Sequence, residues 1–219
     1  YRTGPGVLGR TVEVFTRWYQ LGAFLPLMEN GGDKEHRPWK FDAPGSTAVV
    51  DNYRLFVNAH VELGPYLLTT GTQAYEDGTS SLTPTQPRPK HLDIVQLPDI
   101  TDPSYLLGDH LFVYPIVTNT TNVAVQFPNG TSSWVDYFKP GTAYTGGSTA
   151  KLTFPLASYP VFARSGSVIP LRVSNADMGH GDGGSADALT LVVHNPDASG
   201  ATVSQEIREF EGHGMVVSY

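Results

Sequence analysis

No cysteine occurs among the 219 residues, which excludes disulfides, thiolate nucleophiles and thiolate metal sites and leaves the cellular compartment open. Positive charge is also scarce. Lys and Arg total 14 against 21 Asp and Glu, a formal net charge of -7, and no basic patch interleaves with aromatics, so nucleic acid is not an expected partner. No apolar run approaches the roughly 18 residues of a membrane-spanning helix, and no membrane partner is expected. Phosphate-binding loops, dinucleotide fingerprints, paired-histidine zinc motifs and nucleophile elbows are missing as well, and no cofactor is expected.

What is present suffices for a core: 40% of the residues are apolar and 11% aromatic. Leu8, Val12, Phe15, Trp18, Tyr19 and Leu21 recur at intervals of three and four, which predicts a helix over 8–21, with Arg10, Glu13 and Arg17 on its other faces. "GAFLPLM" reads as a short buried extended segment broken by Pro26. A polar loop, 29–45, follows, with Trp39 and Phe41 as its apolar anchors, and a loop of that length is usually functional. Ser46 or Thr47 is placed to cap a second helix carrying Val49, Tyr53, Phe56, Val57, Val61 and Leu63. Pro65 either kinks this helix or opens a third, which Gly78 ends.

Beyond Gly78 the texture changes to short β-branched and aromatic runs such as "HLFVYPIV", "SSWVDYF" and "YPVFARSG", separated by Gly, Pro, Asn and Thr-rich turns. That spacing argues for an antiparallel sandwich. After a second Gly and Asp-rich stretch, "LTLVVHN", "SQEIREFE" and "MVVSY" read as the opening strands of a further β unit. The Gly and Pro-rich start, "YRTGPGVLGRT", runs straight into a helix with nothing before it to pack on. A piece of a longer polypeptide is therefore expected.

The polar residues offer several small clusters. "ENGGDKEHRPW" (29–39) gathers Glu29, Asp33, Glu35 and His36 beside Arg37 and Trp39. Two carboxylates about 5–10 Å apart would suit glycoside hydrolysis, whereas loop charges are more commonly solvated or substrate-contacting. His36 beside Trp39 has the chemistry of a sugar contact, a directed hydrogen bond next to an apolar face, but equally that of a loop pin. His180 and Asp182 lie among glycines and read as a turn rather than a metal site, and His60 reads as a helix-packing residue. The triplets at Asn119 and Asn129 match the N-glycosylation pattern and sit in turn-forming stretches, a pointer to secretion.

From "RWYQLGAFLPLMENGG" through "HRPWKFD", "YRLFVNAHVELGPYLL", "LGDHLFVYPIV", "SSWVDYF" and "YPVFARSGSVIPL", the ordered motifs of residues 1–171 resemble the family 31 glycoside hydrolases, the α-glucosidases and α-xylosidases. The resemblance implies an α+β fragment. Residues 1–78 would be the last helices of a (β/α)8 barrel, 79–173 a proximal antiparallel β-sandwich, and 174–219 the start of an incomplete distal one. It implies a retaining α-glycosidase whose two catalytic aspartates precede Tyr1, so that no catalytic residue is expected in this chain. The partners would be an α-linked oligosaccharide or glycoside and the N-terminal catalytic portion of the same protein, in a secreted setting. Where the family places a sugar-binding His in the phrase "RNH", this chain has "ENG", with Glu29 and Gly31 at the ends. His36 is the expected replacement, and Tyr1, falling where the family has an aromatic after a barrel strand, is expected at the pocket rim. The rival reading is a non-catalytic carbohydrate-binding or structural β-sandwich protein.

Overall fold

The computed structural model of the chain describes residues 10–31, 35–85, 102–173, 189–194, 204–208 and 214–218. Helix α1 (Val12–Gly22) starts where the Thr11 hydroxyl accepts a hydrogen bond from Val14 N at 3.1 Å, a side-chain cap on an otherwise unpaired amide. Leu8 lies outside the described residues. The next stretch corrects the expectation of an extended segment. Phe24 N and Leu25 N donate to Leu21 O and Gly22 O, so the chain leaves α1 in consecutive tight turns that bury Ala23 and Phe24 and turn Pro26 and Leu27 outward.

Helix α2 (Ala48–Glu62) is capped from further back than expected. Neither Thr47 nor its neighbours supply the main contact; the Asp42 carboxylate accepts from Val49 N at 2.7 Å and Val50 N at 3.3 Å, placing negative charge at the positive end of the helix. Ser46 adds one weaker bond, to Ala48 N at 3.2 Å. Leu63 interrupts the run, and helix α3 (Gly64–Asp77) begins with Pro65 in its first turn, where a missing amide hydrogen costs nothing. Gly78, at φ +65°, closes it in the left-handed region.

Strands follow: β1 (Leu82–Pro84), β2 (Tyr105–Leu107), β3 (Leu111–Val113), β4 (Asn122–Gln126), β5 (Ser133–Asp136), β6 (Ala143–Thr145), β7 (Thr149–Thr153), β8 (Val161–Arg164), β9 (Ser167–Arg172), β10 (Leu189–His194), β11 (Ser204–Arg208) and β12 (Gly214–Ser218). Six of them form one antiparallel sheet in the order β1-β2-β3-β8-β5-β6, and β4 with β7, β9 with β10, and β11 with β12 make two-stranded antiparallel pairs. Helices followed by antiparallel sheets is the order the sequence predicts.

The six-stranded sheet has no wet face at its centre. Leu111, Val113, Val135, Val161 and Ala163 point toward the helices and pack with Phe15, Tyr19, Phe24, Phe56 and Tyr66. The intervening Phe112, Trp134 and Phe162 point the other way, onto Val125 and Phe127 of the β4–β7 side. Alternate residues therefore serve two different cores. The aromatic rings at these cores meet edge-on or offset, as in Tyr19 against Tyr53 and Phe127 against Phe162.

Helices and strands are also joined by polar contacts. Arg17, expected on an outer face of α1, is 7% exposed. Its guanidinium donates to Ser158 O at 2.6 Å, Phe154 O at 2.9 Å and Gln20 Oε1 at 2.9 Å, and it makes no ion pair among the described residues. Gln20 Nε2 donates to Leu156 O, and Asn52 of α2 donates to Ala157 O while accepting from Tyr19 and Gln20. Three side chains thus satisfy four carbonyls of the β7–β8 loop, of which that of the buried Phe154 has least access to water. On the other side, the turn between β2 and β3 lies against α3 so closely that a Cβ at Gly108 (φ +57°) would stand 2.4 Å from Thr70 Cγ2 and 2.6 Å from Tyr66 Oη. Tyr66 Oη in turn donates to Leu107 O at 2.7 Å.

Arg17→Met keeps the packed stem but orphans three acceptors, which costs about 3 kcal/mol. Thermal denaturation should show a midpoint lowered by roughly 6–12 °C. A shift within ~2 °C would mean that water replaces the guanidinium without loss.

Candidate functional site

The polar loop is organised by Glu35. Its Oε1 accepts from the amides of His36 and Arg37 and from Arg37 Nε, and its Oε2 from Arg37 Nη2 at 2.6 Å. Hydrogen bonds from the Arg37 side chain, then from its amide, its charge and the His36 amide, hold the Glu35 carboxyl down to about 2. Such a group stays ionised at any physiological pH and is no proton donor. The loop's acid-rich appearance is thus largely one acid tying down its own turn.

Asn30 Nδ2 donates to His36 O at 2.9 Å, which draws His36 back beside the "ENG" phrase. Position 36 is therefore tied to position 30, six positions earlier in the chain. Pro38, Trp39 and Lys40 then make a single 3-10 turn. Phe41 is the anchor: its ring stacks on Phe15 of α1 with centroids 4.2 Å apart and planes within 5°. Trp39 is not one, being 61% exposed, so the expectation that both aromatics pin the loop holds for Phe41 alone.

His36 and Trp39 line one open cleft of about 540 Å³, together with Asn30 from the same loop and Val50, Tyr53 and Val57 from α2. Aromatic and aliphatic walls with an imidazole and an amide at the edge suit the apolar face and hydroxyl rim of a pyranose. Tyr53 and Val57 were read from the sequence only as helix-core positions; their helical spacing puts them on the cleft side of α2, and no local signal separates the two roles. Tyr1, Asp33, His180 and Asp182 lie outside the described residues. Glu29 and Gly31 are exposed, and His60 Nδ1 sits 3.1 Å from Ala23 O in a packing contact. Among the described residues no three His, Asp or Glu side chains converge as a metal site would need. Asn119 and Asn129 are exposed in the turns before and after β4.

One titratable group escaped the sequence altogether. Glu62, at the end of α2, is 1% exposed, and its Oε1 has no hydrogen-bond partner. Burial alone raises its carboxyl to about 7. It lies near the buried Tyr137 phenol and does not line the cleft of His36 and Trp39, so its consequence is for stability.

Comparison with known proteins bears on the chemistry. The model of the glycosyl hydrolase family 31 TIM-barrel domain matches residues 5–70, and that of the family 31 C-terminal domain matches residues 87–169. A probable glucan 1,3-alpha-glucosidase of Arabidopsis thaliana is 28% identical over 211 residues, 91% of this chain and 21% of that protein. A cycloalternan-forming enzyme from Listeria monocytogenes, solved with a pentasaccharide substrate, superposes with a TM-score of 0.72 at 25% identity over 95% of this chain and 20% of its own. An α-xylosidase from Xanthomonas citri gives 0.66 at 25% identity, over 92% of this chain and 21% of its own. The chain thus spans about a fifth of the length of these relatives.

Because the Glu62 carboxyl sits above its unfolded value near 4.5, the folded state favours its protonated form. That contribution is complete below about pH 4.5 and is lost as pH rises through about 7. Glu62→Gln should therefore raise the melting temperature at pH 8 by several degrees, on the order of 1–3 kcal/mol, and leave it nearly unchanged at pH 4.5. Equal shifts at both pH values would show that folding leaves the affinity of this carboxyl for its proton unchanged.

Proposed function

The chain belongs to glycoside hydrolase family 31, and we propose that it is the C-terminal portion of a retaining α-glycosidase acting on an α-glucoside or α-xyloside. Residues 1–78 complete the (β/α)8 barrel, 79–173 form the proximal β-sandwich, and 174–219 open the distal one. The upstream portion of the same protein supplies the two carboxylates. One attacks the anomeric carbon to form a glycosyl-enzyme; the other protonates the leaving oxygen and later draws the proton from water.

The observation that carries this reading is the two-sided apolar character of α1. Phe15 and Tyr19 are buried against α2 and the sheet, while Val14 and Trp18, one turn apart, are 48% and 65% exposed. A helix that is polar outside needs no further neighbour; one with an exposed Val and Trp stripe has a second body to cover it. The matched barrel segment ends within α3, and the relatives are about five times longer, so the missing body is the remainder of the barrel.

In this reading the cleft at His36 and Trp39 is one wall of the sugar pocket. Trp39 offers a ring face to the pyranose and His36 a hydrogen bond to a hydroxyl, in place of the family histidine that "ENG" lacks. Tyr1 belongs to the same rim.

The isolated chain should release no aryl leaving group from an aryl α-glucoside or α-xyloside, and fusion to its upstream portion should restore turnover. Hydrolysis by the isolated chain would overturn the assignment of the catalytic pair to the upstream part. In the complete enzyme, His36→Ala should raise KM about tenfold, the equivalent of one hydrogen bond of ~1.4 kcal/mol, with kcat changed less. Kinetic constants equal to those of the parent enzyme would make the loop purely structural.

A further inference from the structure

The strand pair β4–β7 lies at the surface of the β region, with alternate side chains exposed. Its inner side chains, Val125 with Leu152 and Ala150, cover the outer face of the six-stranded sheet. Among the described residues it pairs with no other strand, so neither of its outer edges is covered by a described strand. Such edges are templates for strand addition unless something shields them. The outward face is only weakly charged, with Asn122, Ala124, Thr149, Lys151 and Thr153 exposed.

The asparagines around this ribbon differ from the rest. Asn30, Asn52 and Asn122 have their side chains committed to hydrogen bonds within the fold, and Asn58, on α2, has His60 two positions on. Asn119 and Asn129 are exposed and make no hydrogen bond among the described residues. Each has an exposed threonine two positions on, and neither the Thr121 nor the Thr131 hydroxyl is used by the fold. The contrast inside the first triplet is informative, because Thr120 is engaged: its hydroxyl bonds Asn122 at both O and N. Only the threonine that the acceptor pattern requires is left over.

Backbone geometry agrees. Thr120 N donates to Thr118 O at 2.8 Å, so Asn119 is the apex of a three-residue turn. Asn129 sits in a turn with Gly130 at φ +137°, held to the β6–β7 turn by Gly147 N donating to Pro128 O. Both asparagines project from bends that an enzyme can approach, not from a strand or helix. They stand three residues ahead of β4 and three residues beyond it, at opposite ends of the ribbon.

We propose that Asn119 and Asn129 are N-glycan acceptor sites, and that the two glycans flank and shield the open edges of β4–β7. The donor is an oligosaccharide carried on a polyprenyl pyrophosphate. Asparagine Nδ2 forms a bond to the anomeric carbon, the carbon–oxygen bond to pyrophosphate breaks with its electron pair leaving on oxygen, and the amide nitrogen loses one proton. The modification places the protein in the secretory route. It rests on the exposure of the ribbon and its turns, and not on the glycosidase reading.

The test is expression of the full chain in a eukaryotic secretory host, with intact mass measured before and after peptide:N-glycosidase digestion in heavy-oxygen water. Two glycans are expected, their removal leaving labelled aspartate at 119 and 129. Thr121→Ala and Thr131→Ala should each abolish one glycan, while Thr121→Ser and Thr131→Ser should retain it, which separates loss of acceptor chemistry from loss of folding. The bare polypeptide mass, or glycans that survive both alanine substitutions, would overturn the proposal. Occupancy at one position alone would overturn it for the other.

Discussion

A buried guanidinium held by backbone carbonyls governs the way this chain is assembled. Removing Arg17 from water is expensive, and burial lowers its pKa. It is tolerated because the β7–β8 loop turns the carbonyls of Phe154 and Ser158 toward it, and the buried Phe154 carbonyl has its side-chain donor in Arg17. Gln20 and Asn52 complete the same exchange. The seam between helices and sheet is thus oriented by directed bonds and filled by aromatic packing around Phe24, Tyr137 and Tyr159. Packing alone tolerates sliding; bonds to successive carbonyls of one loop do not.

The doubly buried sheet follows from the same arrangement. With helices on one side and β4–β7 on the other, β3 and β8 have no polar face to display. This is why "HLFVYPIV" reads as a continuous apolar run and not as an alternating one. Their existence as strands was legible, while their facing, which sorts Phe112 and Phe162 into one core and Leu111 and Val161 into another, was not. The helices were legible from spacing to within a few residues. "GAFLPLM" was misjudged because apolar residues in a tight turn and in a strand look alike over seven positions. Asp42 escaped notice because it caps α2 from across a bend.

Site residues followed the same division. His36 and Trp39 stood out by chemistry, and they do share a cleft. That Glu35 is spent on its own turn was invisible, because the relevant partner, Arg37, is two residues away and looks equally like a solvated charge. Arg17 and Glu62 show the limit most clearly. Both are charged residues in amphipathic helices, where the default is exposure, and both are buried through tertiary neighbours more than seventy residues distant in sequence.

The stack of Phe41 on Phe15 carries a further consequence. Phe15 lies on the helix that Arg17 fastens to the β7–β8 loop, so the rim bearing His36 and Trp39 is mechanically in series with strands on the other side of the core. Its anchor is thus an aromatic core and not loop contacts alone. A ligand meeting a wall braced in this way loses less to ordering it than one meeting a free surface loop.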